Sequence, residues 1–428
     1  MTYETALAKI HSLLTFGSRP GLDRMRELLR RLGDPQDRLR YIHVAGTNGK
    51  GSTCAVLSSI LTAAGYKTGL FISPYITDFR ERIQINNEMI PEETLTAAVE
   101  ETFPVLEQLR GEGIIITEFE YVNALEFVIH ANAGCDVVVL ETGMGGLLDC
   151  TNVIKPPLCA VITAIGLDHT AILGDTIEKI AAQKCGILKK GSAAVTSKQE
   201  EAAMRVIEST AKELNIPLIK SEELPTEILE MSLAGSRFRL DNEEYFLSLS
   251  GAHQIENAGS ALSALFYLRN KGELDFTNEH VREGLRKATN PARLELLGSD
   301  PVVLLDGAHN PNGIAALEKA IERFLPDAPI TCVMGMLADK DIDSSIALLK
   351  GLFRRVYTVP INNPRALDST SLAEKFRAVY DDVTAFDDVR AAFDAAVQTA
   401  KAENGAVLIC GSLYLAGEIR PYILARKN

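Results

Sequence analysis

The stretch "HVAGTNGKGSTC", residues 43–54, decides how this chain is read. It follows the apolar run "YIHVA" (41–45) and leads into an amphipathic stretch, "STCAVLSSILTAAG" (52–65), so a glycine-rich loop joins a strand to a helix. Such a loop cradles phosphate, because glycines let backbone N–H groups approach the oxygens and the helix N-terminus adds a favourable dipole. Lys50 then reaches the β- and γ-phosphates as a point charge. The spelling departs from a strict Walker A loop. Gly46 stands too close, Gly51 occupies the place of the Ser or Thr, and the hydroxyls arrive late at Ser52 and Thr53. A plain strand-to-helix turn needs no three glycines around a lysine, so phosphate binding is the expectation. The hydroxyl that meets the metal has to come from elsewhere.

Outward from this loop the same rhythm repeats. "TGLFIS" (68–73), "DVVVLE" (136–141) and "CAVITAI" (159–165) read as strands buried on both faces, with helical patterns at 92–110, 119–132 and 175–189. The alternation predicts a mostly parallel sheet wrapped by helices. It weakens over 222–250, where "FRLDNEEYFLSLSG" alternates like antiparallel strands. It resumes with "PVVLLD" (301–306), "ITCVMG" (330–335), "VYTVP" (356–360) and "AVLICG" (406–411), a second α/β unit. A boundary near 292–297 divides the chain into 1–294 and 295–428, and 428 residues exceed one ordinary core.

Composition sets the limits. A net charge of −13 excludes a duplex nucleic-acid binder, which needs a basic excess to displace counterions. The seven cysteines form no C-x-x-C pair, which points to free thiols in a reducing cytoplasm rather than disulfides or structural zinc. No apolar run reaches membrane-spanning length, and the N-terminal stretch carries Glu4 and His11 rather than a signal-type apolar block. A cytoplasmic protein without a membrane partner is expected.

Open parallel sheets gather ligands at the carboxyl ends of their strands. Two such ends carry unusual chemistry: "DVVVLETGMGG" places Glu141 there, and "VITAIGLDHTAILG" places Asp168 and His169. Taken singly, Asp168 reads as a helix cap and His169 as a satisfied polar histidine. Beside a phosphate loop, carboxylate and imidazole together point to a magnesium–nucleotide centre, although Mg²⁺ favours oxygen ligands. In the second unit "LLDGAHNPNG" (304–313) crowds Asp306, His309 and Asn310 into one loop. Between the units stand Asn257 in "GAHQIENAGSA" and Arg293 in "NPARLE", the latter a solvated hinge residue or a phosphate clamp.

The ordered motifs "GTNGKGST", "LFISPYITDFRERI", "ETGMGGLLDCTN", "GLDHTAILGDTIEKIAAQKCGILK", "GAHQIENA", "PARLE", "LDGAHNPNG" and "GSLYLAGEIR" resemble the folylpolyglutamate synthases. That group includes the bacterial enzymes that are also dihydrofolate synthases, and it lies within the Mur ligase superfamily. The resemblance runs from about residue 17 to the end. It implies a P-loop-type α/β domain with a small antiparallel addition, followed by a Rossmann-like α/β domain. It also implies an ATP-dependent, ADP-forming amide ligase: a carboxylate of folate or dihydropteroate becomes an acyl phosphate, and L-glutamate attacks it.

By position, the resemblance makes Asn48, Gly49, Lys50, Gly51 and Ser52 the ATP loop, with Asn257, Arg293 and Asp306 as further ATP contacts. Ser73, Glu141, His169 and Lys184 fall at metal positions for two Mg²⁺ ions, and Lys184 at the lysine this family carbamylates. By helical position alone Lys184 is an ordinary surface lysine. Lys50, Lys184 and His309 are the expected catalytic residues. Ser412 falls with His309 where glutamate enters, and Asp149, with "GLDR" (21–24) and "TEFE" (117–120), on the pterin side. A monovalent cation is admitted and a monomer expected. The chain departs from the family at Tyr75 for His, Leu147 for Arg, Cys185 for Ala and Ala292 for Gly. The alternatives are a folylpolyglutamate synthase without dihydrofolate synthase activity, a Mur-type cell-wall precursor ligase, and a nucleotide-binding module without turnover.

Overall fold

The computed structural model describes residues 1–13 and 21–426; residues 17–20, where the family resemblance begins, lie outside them. Eight strands build the first sheet. They are β1 (Tyr41–Ala45), β2 (Thr68–Phe71), β3 (Ile83–Ile85), β4 (Glu88–Met89), β5 (Val137–Glu141), β6 (Cys159–Ile162), β7 (Ala193–Thr196) and β8 (Leu218–Lys220). Their order is β4-β3-β2-β5-β1-β6-β7-β8, parallel from β2 to β8 with β3 and β4 antiparallel at one edge.

Burial on both faces explains why these strands read as unbroken apolar runs. In β5, Val137 and Val139 enter one core and Val138 and Leu140 the other, as the two-residue period of a strand requires. The first core is closed by the helix Lys50–Ala63, which packs against the helices Ala252–Asn270 and Asn278–Lys287. The helices Glu92–Gly111 and Glu118–Ala133 close the second, and Ile177–Cys185 lies over β6 and β7. The phosphate-loop helix starts at Lys50, two residues before the stretch read from the sequence.

Strands β9 (Thr226–Ser232), β10 (Gly235–Leu240) and β11 (Glu243–Leu247) form a separate antiparallel sheet. Phe238, Leu240, Tyr245 and Leu247 turn inward and join the first core.

The third sheet holds β12 (Glu295–Ser299), β13 (Val302–Leu305), β14 (Ile330–Met334), β15 (Arg355–Thr358), β16 (Val383–Ala385) and β17 (Ala406–Cys410). Its order is β12-β13-β17-β14-β15-β16, parallel except for β12. A mostly parallel sheet, an antiparallel addition and a parallel-rich C-terminal sheet are the architecture the alternation predicted.

The C-terminal helix Leu413–Ala425 lies directly on the loop that follows β2. A Cβ at Gly417 would stand 1.9 Å from the Ile76 carbonyl oxygen, so the approach depends on glycine. All seven cysteines are buried free thiols. No helix among the described residues is long and apolar enough to cross a membrane.

Candidate active site

Strand β1 lies between β5 and β6, so the chain passes from one side of it to the other. A crevice at the carboxyl ends of these strands follows from that reversal. The loop 46–49 opens into it and is moored to the end of β6. The N–H groups of Thr47 and Asn48 both donate to the Ala164 carbonyl (2.9 and 3.1 Å), and Thr163 Oγ1 donates to the Asn48 carbonyl (2.8 Å). Gly49 takes a left-handed conformation (φ +87°), and an added Cβ would lie 2.2 Å from Asn257 Oδ1. Glycine is therefore required twice over. The N–H groups of Lys50, Gly51 and Ser52 have no acceptor within their helix and remain as anion donors. The Ser52 side chain is buried, and its Oγ accepts from Asn290 Nδ2 at 2.9 Å.

Two lysines meet beneath this loop. Lys50 Nζ donates to the carbonyls of Gly46 (3.0 Å) and Thr47 (3.2 Å), and Lys184 Nζ donates to the same Gly46 carbonyl at 2.7 Å. Lys184 is 3% exposed, which corrects the surface-lysine reading: its face of the helix Ile177–Cys185 is turned against the loop. Burial, and then the neighbouring charge of Lys50, lower its pKa to about 7.

Glu141 ends β5 in register with Val44. It is buried, and its Oε2 accepts from the Ser73 N–H at 3.2 Å. Burial pushes its pKa up, opposed by Lys50, the Ser73 N–H and Arg293. Asp168 does not cap a helix. Its Oδ1 accepts from Lys340 Nζ at 3.0 Å and its Oδ2 from Asn310 Nδ2 at 3.2 Å, both from the C-terminal unit. Burial pushes the Asp168 carboxyl up, but Lys340, His169 and His309 overcome it and hold it well below the usual carboxylate range. His169 is left-handed (φ 50°) and heads the short helix Thr170–Leu173 without a side-chain cap bond.

Among the described residues no three His, Cys, Asp or Glu side chains converge as a metal cage. Glu141, with Ser73 beside it, offers one buried carboxylate of the kind Mg²⁺ takes, the rest of its shell being phosphate and water.

From the second unit, Asp306 follows β13. Its carboxylate accepts the N–H groups of Leu294 and Ala308, both at 2.7 Å. Burial raises its pKa and Arg293 opposes the rise. Arg293 stands between Ala292 (φ 56°) and Leu294 (φ 47°), so the departure from glycine at 292 leaves a non-glycine residue left-handed. Together with Gly51, Ser73, Glu141 and Asn290, Arg293 lines a cavity of about 240 Å³. It is a cleft residue rather than a solvated hinge.

His309 Nδ1 lies 2.8 Å from the Gly307 carbonyl, which only accepts, so Nδ1 carries the proton and Nε2 keeps its lone pair. Burial and Lys340 lower its pKa to about 4. The Gly411 N–H donates to the Ala308 carbonyl (3.0 Å), which sets Ser412 beside the His309 loop. Ser412 caps the helix Leu413–Ala425 through the Tyr414 N–H at 3.1 Å.

The segments "GLDR" and "TEFE" also meet, through Arg24 and Glu120 at 2.9 Å. Asp149 lies close enough for its charge to reach both Glu141 and Lys184. It is buried at the head of the turn Cys150–Val153, with Met144 N–H on Oδ2 (2.8 Å) and Thr151 N–H on Oδ1 (3.1 Å). Both its oxygens are thus engaged within the chain. Sequence reading missed Lys340 and Asn290; the position of Lys340 shortly after β14, at another strand end, was the available signal.

Comparison with known proteins bears on this site. Models of the Mur ligase middle domain and of the Mur ligase glutamate ligase domain match residues 44–265 and 292–413. A Bacillus subtilis dihydrofolate synthase/folylpolyglutamate synthase is 38% identical over 433 residues, covering 98% of each chain. Mycobacterium tuberculosis folylpolyglutamate synthase, solved with ADP and AMPPCP, superposes with a TM-score of 0.90 at 32% identity, over 98% of this chain and 99% of that one. Escherichia coli FolC, solved with DHPP and ADP, gives a TM-score of 0.87 at 32% identity, over 100% and 99%. With its strand-end crevice, its shared lysine seat and both matching domains, the chain belongs to the dihydrofolate synthase/folylpolyglutamate synthase family of Mur ligases.

Proposed function

We propose that this protein is an ATP-dependent, ADP-forming ligase that joins L-glutamate to reduced folates and also to dihydropteroate. The observation that carries the reading is the meeting of the two units over the phosphate loop. Asn310 donates to both Asn48 Oδ1 (3.3 Å) and Asp168 Oδ2, and Lys340 pairs with Asp168. In this reading residues 1–294 bind the nucleotide and residues 295–428 bring the glutamate.

The γ-phosphoryl group passes to a substrate carboxylate, giving an acyl phosphate and ADP. The glutamate amine then attacks the acyl carbon, the amine proton leaves, and inorganic phosphate is expelled. Lys50 and the N–H groups of Lys50, Gly51 and Ser52 hold the nucleotide phosphates, with Asn257, Arg293 and Asp306 as further ATP contacts. Two Mg²⁺ ions would be held by Ser73, Glu141, His169 and Lys184. They would neutralise phosphate charge.

With its pKa lowered to about 7, Lys184 is neutral in part near neutral pH, the neutral amine is the form that carbamylates, and the resulting anion suits a metal ligand. His309, neutral with a free Nε2, accepts a hydrogen bond from the incoming amine and orients it, while Ser412 and Lys340 sit beside it. Asp149 shapes the glycine loop on the pterin side. The protein works as a cytoplasmic monomer in this reading.

The test is ADP release with ATP, Mg²⁺ and L-glutamate, comparing dihydropteroate with tetrahydrofolate monoglutamate. Release with both supports two activities, and release with the folate alone restricts the protein to polyglutamylation. No release with either, or release only with a nucleotide-linked muramoyl substrate, overturns the proposal.

A further inference from the structure

Arg82 closes the turn Phe79–Arg82 that leads into β3. Its guanidinium carbon lies 5.2 Å from the ring centroid of Tyr75 and 5.7 Å from that of Phe79. The side chain is half-buried, its Nε is shielded and has no hydrogen-bond acceptor, and among the described residues no carboxylate pairs with the guanidinium. Acid is not scarce nearby. Arg80, two residues earlier, is paired with both Asp78 (2.8 Å) and Glu92 (3.7 Å). Glu118, whose charge reaches Arg82, is turned to His11 at 3.3 Å.

A shielded guanidinium stays charged, so leaving its donors unmet costs free energy that a bound anion would return. The two rings fix the guanidinium plane by cation–π contact and leave its N–H edges for an oxygen ligand.

Location narrows the ligand. The Arg82 carbonyl accepts from the Ile72 N–H at 3.1 Å, which puts Arg82 across the β2–β3 pair from Ile72, the residue before Ser73. The electrostatic reach of Tyr414 and Glu118 sets it between the C-terminal helix and the "TEFE" segment. Lys50 and Arg293 already serve the nucleotide side of the cleft. Of the proposed substrates, a folylglutamate carries one carboxylate that does not react, its α-carboxylate, and dihydropteroate carries none.

We propose that Arg82 receives the α-carboxylate of the glutamate already on the folate, and so sets the preference between the two acceptor substrates. This rests on the function proposed above.

The test compares wild type with Arg82→Met and Arg82→Lys, each checked for an unchanged unfolding transition. Losing a charge-assisted bidentate contact lowers the folate-to-dihydropteroate ratio of kcat/KM roughly ten- to hundredfold in Arg82→Met, with Arg82→Lys between the two. A second arm uses tetrahydrofolate with its α-carboxylate converted to a carboxamide. Wild type should lose about the same factor on that analogue, and Arg82→Met should lose little more. An unchanged ratio, or equal further loss of the variant on the carboxamide, overturns the assignment. Wild type inert toward both acceptors instead sinks the function on which the assignment rests.

Discussion

Lys340 Nζ stands 3.0 Å from Asp168 Oδ1, an ion pair between residues 172 apart that spans the cleft between the two α/β units. Their side chains are 11% and 14% exposed, so solvent screens the pair little. Lys340→Met leaves the largely shielded Asp168 charge without its ammonium partner, with Asn310, His169 and His309 left to answer it. The expected result is a fall in kcat/KM for L-glutamate of roughly ten- to hundredfold, with a smaller rise in the KM for ATP. Asp168→Asn keeps an acceptor for Asn310 and should lose less. Steady-state ADP release at varied glutamate measures both; equal effects on the two KM values would contradict the bridge.

Gly49→Ala places a Cβ 2.2 Å from Asn257 Oδ1 on a left-handed backbone. The strain of about 1–2 kcal/mol adds to the clash and pulls the phosphate donors out of line. Nucleotide affinity, read by calorimetry with a non-hydrolysable ATP analogue, should weaken roughly tenfold or more. Overall stability should move far less, and its collapse would mean that the loop matters for folding instead.

Gly417→Ala drives a methyl into the Ile76 carbonyl oxygen. Overpacking of this kind costs about 1–3 kcal/mol, or the helix Leu413–Ala425 backs away from the loop after β2. Either outcome lowers turnover, and the second also expands the molecule in small-angle scattering. Gly259→Ala is the control: nothing lies within 4 Å of its added Cβ, and its helix position favours alanine.

His43 predicts an acid limb. It is fully buried on β1, and its Nε2 lies 2.9 Å from Thr151 Oγ1. The Thr151 hydroxyl donates to Asp149 (2.5 Å), so His43 Nε2 is the donor in that pair. Burial, and then Lys189, depress its pKa from 6.5 to about 3. The unfolded chain binds this proton below pH 6.5 while the folded chain refuses it until about pH 3, so stability falls as pH drops through that window. Between about pH 7.5 and pH 5 the loss is about 2 kcal/mol. His43→Gln keeps a donor for Thr151 and removes the titration, so its urea midpoint should fall less over the same interval.

The strands that frame the cleft were legible because they are buried on both faces: "YIHVA", "DVVVLE" and "AVLICG" leave no other reading. The antiparallel stretch around 222–250 was legible by its alternation. Short strands were not. β8 and β16 hold three residues each, too few for a period to declare itself.

Within the site, residues adjacent to the glycine loop or at strand ends stood out, as Glu141 and Asp306 did. Lys340 and Arg82 did not. The significance of Lys340 lies in a partner 172 residues away, and that of Arg82 in the absence of a carboxylate partner among the described residues. Lys184 shows the same limit from the other side: a lysine on a short helix looks solvated until the loop it packs against is known.

The Gly46 carbonyl, which seats both Lys50 Nζ and Lys184 Nζ, makes these two residues genetically inseparable. Taking away the Lys50 charge removes one of the two causes that lower the Lys184 pKa, so Lys184 holds its proton to higher pH. A Lys50 variant therefore alters two ammonium groups at once, and its lost activity cannot be assigned to phosphate binding alone. Double variants at 50 and 184 should show strong epistasis, the second substitution costing much less than it does in the wild-type background.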